Sequence, residues 1–129
     1  MEPKLVTAPE LTDVLGELSR LEPIFHWPPK DMSRAALENM TVDDFWETGA
    51  SGRRYAREFV FDVLAQRMAR PEPDVWETSE FHCRKLAEGV YLLTYTLLQD
   101  QARLTRRATI WQRAADGWKI VYHQGTVVA

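Results

Sequence analysis

The chain has 129 residues, enough for one domain with a real core. Its 45% hydrophobic and 27% charged content is ordinary for a soluble globular protein, and a net charge of −3 excludes a basic field for nucleic acid. No stretch approaches the roughly 20 apolar residues that span a bilayer. The N-terminal MEPKLVTAPELTDV has no uninterrupted apolar run, so no signal peptide is expected. One cysteine, Cys83, rules out an internal disulfide framework and fits a reducing cytoplasm, where the protein is expected to reside.

Thr7-Ala-Pro-Glu10 has the form of a capping box, with Thr7 accepting from the amide three residues on. Leu11, Val14, Leu15, Leu18 and Leu21 follow at helical spacing, and Pro23 stops that first helix. Pro28-Pro29 is a rigid connector. A short second helix is expected over about Met32–Glu38, capped by Asp31 or Ser33. Phe45–Thr48 reads as a short strand, and Gly49-Ala-Ser-Gly52 as a tight turn without the spacing of a phosphate-binding loop. A third helix is expected from about Arg57 to Met68, with Phe59, Val60, Val63 and Leu64 on its apolar side and Pro71 and Pro73 ending it. Asp74 to Leu86 reads as an edge or bent strand because polar residues interrupt it.

From Gly89 to Val127 the chain reads as three long strands in a meander, turning at Asp100-Gln101 and at Ala115-Asp116-Gly117. The three strands are apolar on both faces, and the rest of the chain can cover only one. Pairing Gln99 with Arg103 sets Tyr95 opposite Arg107, Leu93 opposite Thr109 and Tyr91 opposite Trp111. Across the next turn Thr109 meets His123 and Trp111 meets Val121. Directly opposed residues share a face. One face therefore carries aromatics mixed with Arg107, Thr109 and His123, a composition suited to a cavity. The other carries Thr94, Thr96, Ala108, Trp118, Ile120 and Tyr122 and suits an interface with another sheet.

Phe45-Trp46-Glu47-Thr48-Gly49, Ser51-Gly52-Arg53, and the ending Thr109-Ile110-Trp111-Gln112-Arg113 through Gly117-Trp118-Lys119-Ile120-Val121-Tyr122-His123-Gln124-Gly125-Thr126 carry a resemblance. With the order of elements, they resemble the nuclear transport factor 2-like superfamily, also called SnoaL-like, and within it the uncharacterised stand-alone bacterial branch. The resemblance covers nearly the whole chain. It implies a single domain over residues 1–129, of α+β class, with a cone-like curved antiparallel sheet wrapped around N-terminal helices. It also implies a deep pocket at the open end and a homodimer through the outer sheet face. The catalytic constellations of the superfamily's isomerases and dehydratases have no matched Asp here. Arginines line the pocket of the similar kinase hub domain, and Arg107 lies two residues before the corresponding inward position, Thr109.

The candidate ligand-binding residues are Tyr91, Tyr95, Arg107, Thr109, Trp111, His26, Trp46 and Glu47, with His123 as candidate acid/base. Arg beside Tyr and His reads as an anion or carbonyl site. The competing reading pairs Arg107 with Glu47 as structural glue and leaves His123 a sheet histidine bonded to Thr109. The histidines lack metal-ligand spacing, so neither a metal nor another cofactor is expected. Cys83 reads as core filler. Arg53, Arg54, Arg57, Arg103 and Arg113 read as a solvated set. The first functional reading is a homodimeric small-molecule-binding protein with a deep polar-aromatic pocket, having no nucleic-acid or membrane partner. The alternatives are a cofactor-independent isomerase, dehydratase or hydrolase using His123, and an assembly module with a residual cavity.

Overall fold

The computed structural model of the chain describes residues 1–26, 28–29, 31–71 and 75–129. Its helices are α1 (Thr12–Leu21), α2 (Arg34–Asn39) and α3 (Arg57–Met68). Its strands are β1 (Thr41–Thr48), β2 (Arg54–Ala56), β3 (Trp76–Ala87), β4 (Val90–Gln99), β5 (Arg103–Ala114) and β6 (Gly117–Val127). They form one open sheet in the order β2-β1-β6-β5-β4-β3. The sheet is mixed, because β1 runs parallel to β6 while the other pairs are antiparallel. The expected helix stop at Pro73 and strand start at Asp74 lie outside the described residues.

The capping box does not form. A 3-10 turn, Pro9–Leu11, leads into α1, and Ala8 precedes it with no side-chain cap. The Thr7 hydroxyl instead accepts from the Cys83 amide at 3.1 Å, tying the N-terminal segment to β3. The apolar stripe of α1 behaves as read: Val14 and Leu18 are buried, and Leu11, Leu15 and Leu21 pack against the same core. Pro23 has no amide hydrogen to continue the α-helix, and the chain tightens into a second 3-10 turn over Glu22–Phe25. Ser33 caps α2 by accepting from the Ala36 amide at 3.1 Å. In α3 the inward set is Val60, Phe61 and Leu64, whereas Phe59 is half exposed. The difference comes from cations: Arg34 and Arg57 lie over the Phe61 ring at 5.1 and 4.9 Å, while Phe59 stacks on Tyr55 at 4.9 Å.

The β4–β5 register is the one the turn dictates, from Gln99 opposite Arg103 to Tyr91 opposite Trp111. Asp100 and Gln101 both take positive φ, as the two central residues of such a hairpin must. On β6 the register holds from Val127 to Tyr122 and then slips at a bulge, so Trp111 opposes Ile120 rather than Val121. Two residues opposite one reset the alternation of faces. Ile120 is therefore core, at 1% exposed, and not part of the outer face. Trp118 likewise turns toward α1, donating from Nε1 to Glu17 at 3.1 Å and meeting Tyr91 edge-on. β3 is an edge strand, bent where its pairing shifts between Ser79 and His82, with Glu80 at positive φ. Among the described residues, no helix is long and apolar enough to cross a membrane.

Candidate functional site

The site is built where the end of α1 meets the inward sheet face. The 3-10 turn after Leu21 folds Glu22 back beneath the sheet, where it is 1% exposed. Trp111 Nε1 donates to its Oε1 at 3.0 Å, and the Tyr95 hydroxyl donates to its Oε2 at 2.8 Å. Burial raises this carboxyl from 4.5 to about 7, against the pull of Thr109, Tyr95 and Trp111 and of the Arg107 charge.

The direction of the Tyr95 bond fixes the His26 imidazole. The Tyr95 proton goes to Glu22, so Tyr95 accepts from His26 Nε2–H across 2.7 Å. Thr109 Oγ1 and His123 Nδ1 share a hydrogen bond of 2.7 Å, in which the donor depends on the imidazole tautomer. His123 Nε2 is buried and has no hydrogen-bond partner among the described residues. Phe25 stacks on the His123 ring at 3.9 Å and restrains its plane. Burial, then the positive charge of Arg107, push both histidines down, His26 to about 3 and His123 well below its ordinary value. Both are neutral at pH 7. The 3.8 Å approach of His123 Nδ1 to Glu22 is accordingly no full ion pair.

His123 and His26 line a cavity of about 340 Å³. Its apolar wall comes from β2 and α3, as Tyr55, Phe59, Val60, Val63 and Leu64. Its charged wall holds Glu47, Arg67, Arg103 and Arg107. Glu47 sits beside His123 through the parallel β1–β6 pairing, half buried, and its carboxyl is raised by burial against the pull of Arg67 and Arg107. Arg107 donates from Nε to Thr105 at 3.0 Å, and burial lowers its pKa. Its guanidinium lies flat over Gly125, where a Cβ would come within 2.8 Å of Nη1. Arg67 donates to the Phe25 carbonyl at the cavity's far side.

The sequence-derived candidates fall into three groups. His26, Glu47, Arg107 and His123 meet at the cavity. Tyr95, Thr109 and Trp111 lie behind them, joined through Glu22. Tyr91 and Trp46 are elsewhere: Tyr91 packs against Trp118 near α1, and Trp46 is 42% exposed against Tyr122. Trp46 faces away because its neighbour Glu47 takes the inward position on β1. Glu22 itself escaped the sequence reading, which sought a carboxylate on the sheet. Its signal was present as one acid inside the otherwise apolar run Leu21-Glu22-Pro23-Ile24-Phe25. Arg103 was assigned to the solvated set; it is exposed, yet stands in the cavity wall and donates to Gln99 at 3.3 Å.

No protein-family model and no curated protein matches the chain. Solved structures do. An NTF2-like protein of unknown function in nutrient uptake from Rhodospirillum rubrum matches with a TM-score of 0.66 at 16% identity, over 91% of this chain and 98% of its own. An NTF2-like protein from Cytophaga hutchinsonii matches with a TM-score of 0.65 at 15% identity, over 95% and 100%. A hexachlorocyclohexane dehydrochlorinase, LinA type 2, matches with a TM-score of 0.61 at 10% identity, over 92% and 90%. These likenesses show the fold: the chain is an α+β protein of the nuclear transport factor 2-like cone architecture.

Proposed function

We propose that this NTF2-like chain binds a small organic molecule in the cavity beside His123 and moves a proton on it without a cofactor, in an isomerisation or an elimination. The observation that carries the reading is His123 Nε2, a buried nitrogen with no partner among the described residues, on a ring whose other nitrogen is hydrogen-bonded to Thr109. A neutral imidazole in the tautomer with Nδ1 protonated is a base poised to accept a proton from a ligand. The imidazolium formed is stabilised by the Glu22 carboxylate, whose Oε2 lies 3.8 Å from His123 Nδ1. Arg107 stands in the same cavity to stabilise the oxyanion that develops as the substrate's electron pair moves onto a carbonyl oxygen. The proton then returns at another carbon, or a leaving group departs. The dehydrochlorinase among the structural neighbours carries out an elimination on the same architecture.

The reading includes a homodimer through the outer sheet face, where Thr94 opposes Ala108 and small side chains leave the sheet open. The test of the chemistry is exchange of substrate C–H for deuterium in heavy water, followed by proton NMR over a panel of enolisable carbonyl compounds. Wild type is expected to exchange at least one compound, and His123→Gln none. A panel member that binds wild type but does not exchange, with no other member exchanging, leaves a binding protein and refutes the proton transfer.

A further inference from the structure

The geometry points to a carboxylate, attached to a compact apolar body, as the chemical class that this cavity takes, with Arg107 as its anchor. The inference deepens the proposed function and rests on it for the site, though not for the chemistry.

Charge comes first. Among the described residues Arg103 and Arg107 line the cavity with one carboxylate, Glu47. An anion beside Arg107 gains from that guanidinium, with Arg103 adding a second positive charge. Arg107 is the one with its hydrogen-bonding capacity still open. Among the described residues its guanidinium makes one hydrogen bond, from Nε to Thr105. Both Nη groups remain available, and a planar fork with its terminal nitrogens open matches a carboxylate bidentately. It is no pairing of Arg107 with Glu47, since no hydrogen bond joins them.

The backbone has been shaped for this arginine. Gly125 is paired with Arg107 across β5–β6, and any Cβ there would fall 2.8 Å from Nη1 and 2.9 Å from Cζ. Gly125 is in extended backbone with no positive φ, so nothing in its conformation asks for glycine. The space above it does. The side chain lies flat over the strand rather than rising into solvent, and this holds the fork within the cavity.

Shape supplies the rest. The lining also has an apolar part, from Tyr55 and Phe59 to Val60, Val63 and Leu64 of α3. A volume of about 340 Å³ is at the lower end of the roughly 300–1,000 Å³ usual for small-molecule sites. A dianion or a sugar phosphate would leave this part without an apolar partner. A monocarboxylate carrying a phenyl-sized or short aliphatic body satisfies both parts.

The experiment is binding of 3-phenylpropanoate and of its uncharged isostere 3-phenylpropanamide to the intact wild-type chain, by ligand-observed NMR and calorimetry. The carboxylate is expected to bind at least tenfold more tightly than the amide. Arg107→Gln should lose at least tenfold for the carboxylate and leave the amide unchanged, with folding checked by circular dichroism. Equal affinity for the two probes, or no carboxylate binding up to the solubility limit, overturns the inference without any variant. Carboxylate binding that survives together with a complete absence of C–H exchange sustains the ligand class and refutes the proton-transfer reading, so the two fail separately.

Discussion

Replacing Glu22 by Gln isolates the buried carboxyl on which the inner network converges. The carboxyl of the folded chain titrates near 7, against 4.5 when unfolded. An acid raised on folding stabilises the native state while protonated and costs stability as pH rises from the unfolded towards the folded value. Linkage for a single group with these two values gives a wild-type loss of about 2 to 3 kcal/mol between pH 5 and pH 8. Gln cannot ionise, so the variant lacks this component. His26 and His123 are depressed instead, and they cost stability as pH falls below their unfolded value of 6.5, in both proteins. Urea unfolding of wild type and Glu22→Gln at pH 5 and pH 8 should therefore show the variant gaining about 2 to 3 kcal/mol relative to wild type over that interval. A constant offset arises because the single oxygen of the Gln side chain cannot accept from both Trp111 and Tyr95 where Oε1 and Oε2 do. A difference that stays flat within about 0.5 kcal/mol would mean that Glu22 titrates normally and that the buried charge is not as described.

Gly125→Ala should displace the Arg107 guanidinium and weaken 3-phenylpropanoate binding at least tenfold. The crowded atoms are the far end of a flexible side chain, so the unfolding free energy should change by no more than about 1 kcal/mol. Ile120→Asp should destabilise the fold by more than about 3 kcal/mol in urea unfolding, because a charge would enter a site 1% exposed. Val121→Asp, at the bulge, should cost clearly less; the reverse order would remove the bulge. Thr94→Arg should convert a dimer to monomer in sedimentation, and a dimer that persists would place the interface elsewhere. The Cys83 thiol, buried and with its pKa raised by burial, should react with a thiol reagent only as the chain unfolds; rapid reaction of the native protein would contradict its burial.

How legible this was depended on whether the signal was local. The β4–β5 register followed from one short turn between Gln99 and Arg103, since every later pair counts back from it. The same counting failed across β5–β6 because a bulge has no requirement in side-chain type: Val121 is as apolar as Ile120, and either pattern alternates acceptably. The Phe59–Phe61 exchange on α3 had a similar cause. Both are large and apolar, and what separates them is Arg34, which arrives from a different helix. At the site, Tyr95, Thr109 and His123 share a sheet face as counted, because opposition on a sheet is arithmetic, while Tyr91 packs away from the cavity against Trp118. Glu22 was invisible to that arithmetic. Its position depends on how the chain leaves α1 at Pro23, and its partners Tyr95, Thr109 and Trp111 are about 70 to 90 residues away in sequence. Trp46 shows the converse limit, since it was a ligand-binding candidate and the parity of β1 turned it outward.

The central proposal is that His123 keeps Nε2 unprotonated and available to a ligand in the adjoining cavity, and the nitrogen NMR spectrum of its imidazole tests it most directly. A long-range proton–nitrogen correlation on uniformly labelled protein at pH 7, assigned with His123→Gln, should show Nδ1 protonated and Nε2 with the shift of an unprotonated ring nitrogen. The pattern should persist without titration as the pH is lowered to about 5. A proton on Nε2 at pH 7, or protonation of the ring with an ordinary midpoint near 6.5, would contradict the account.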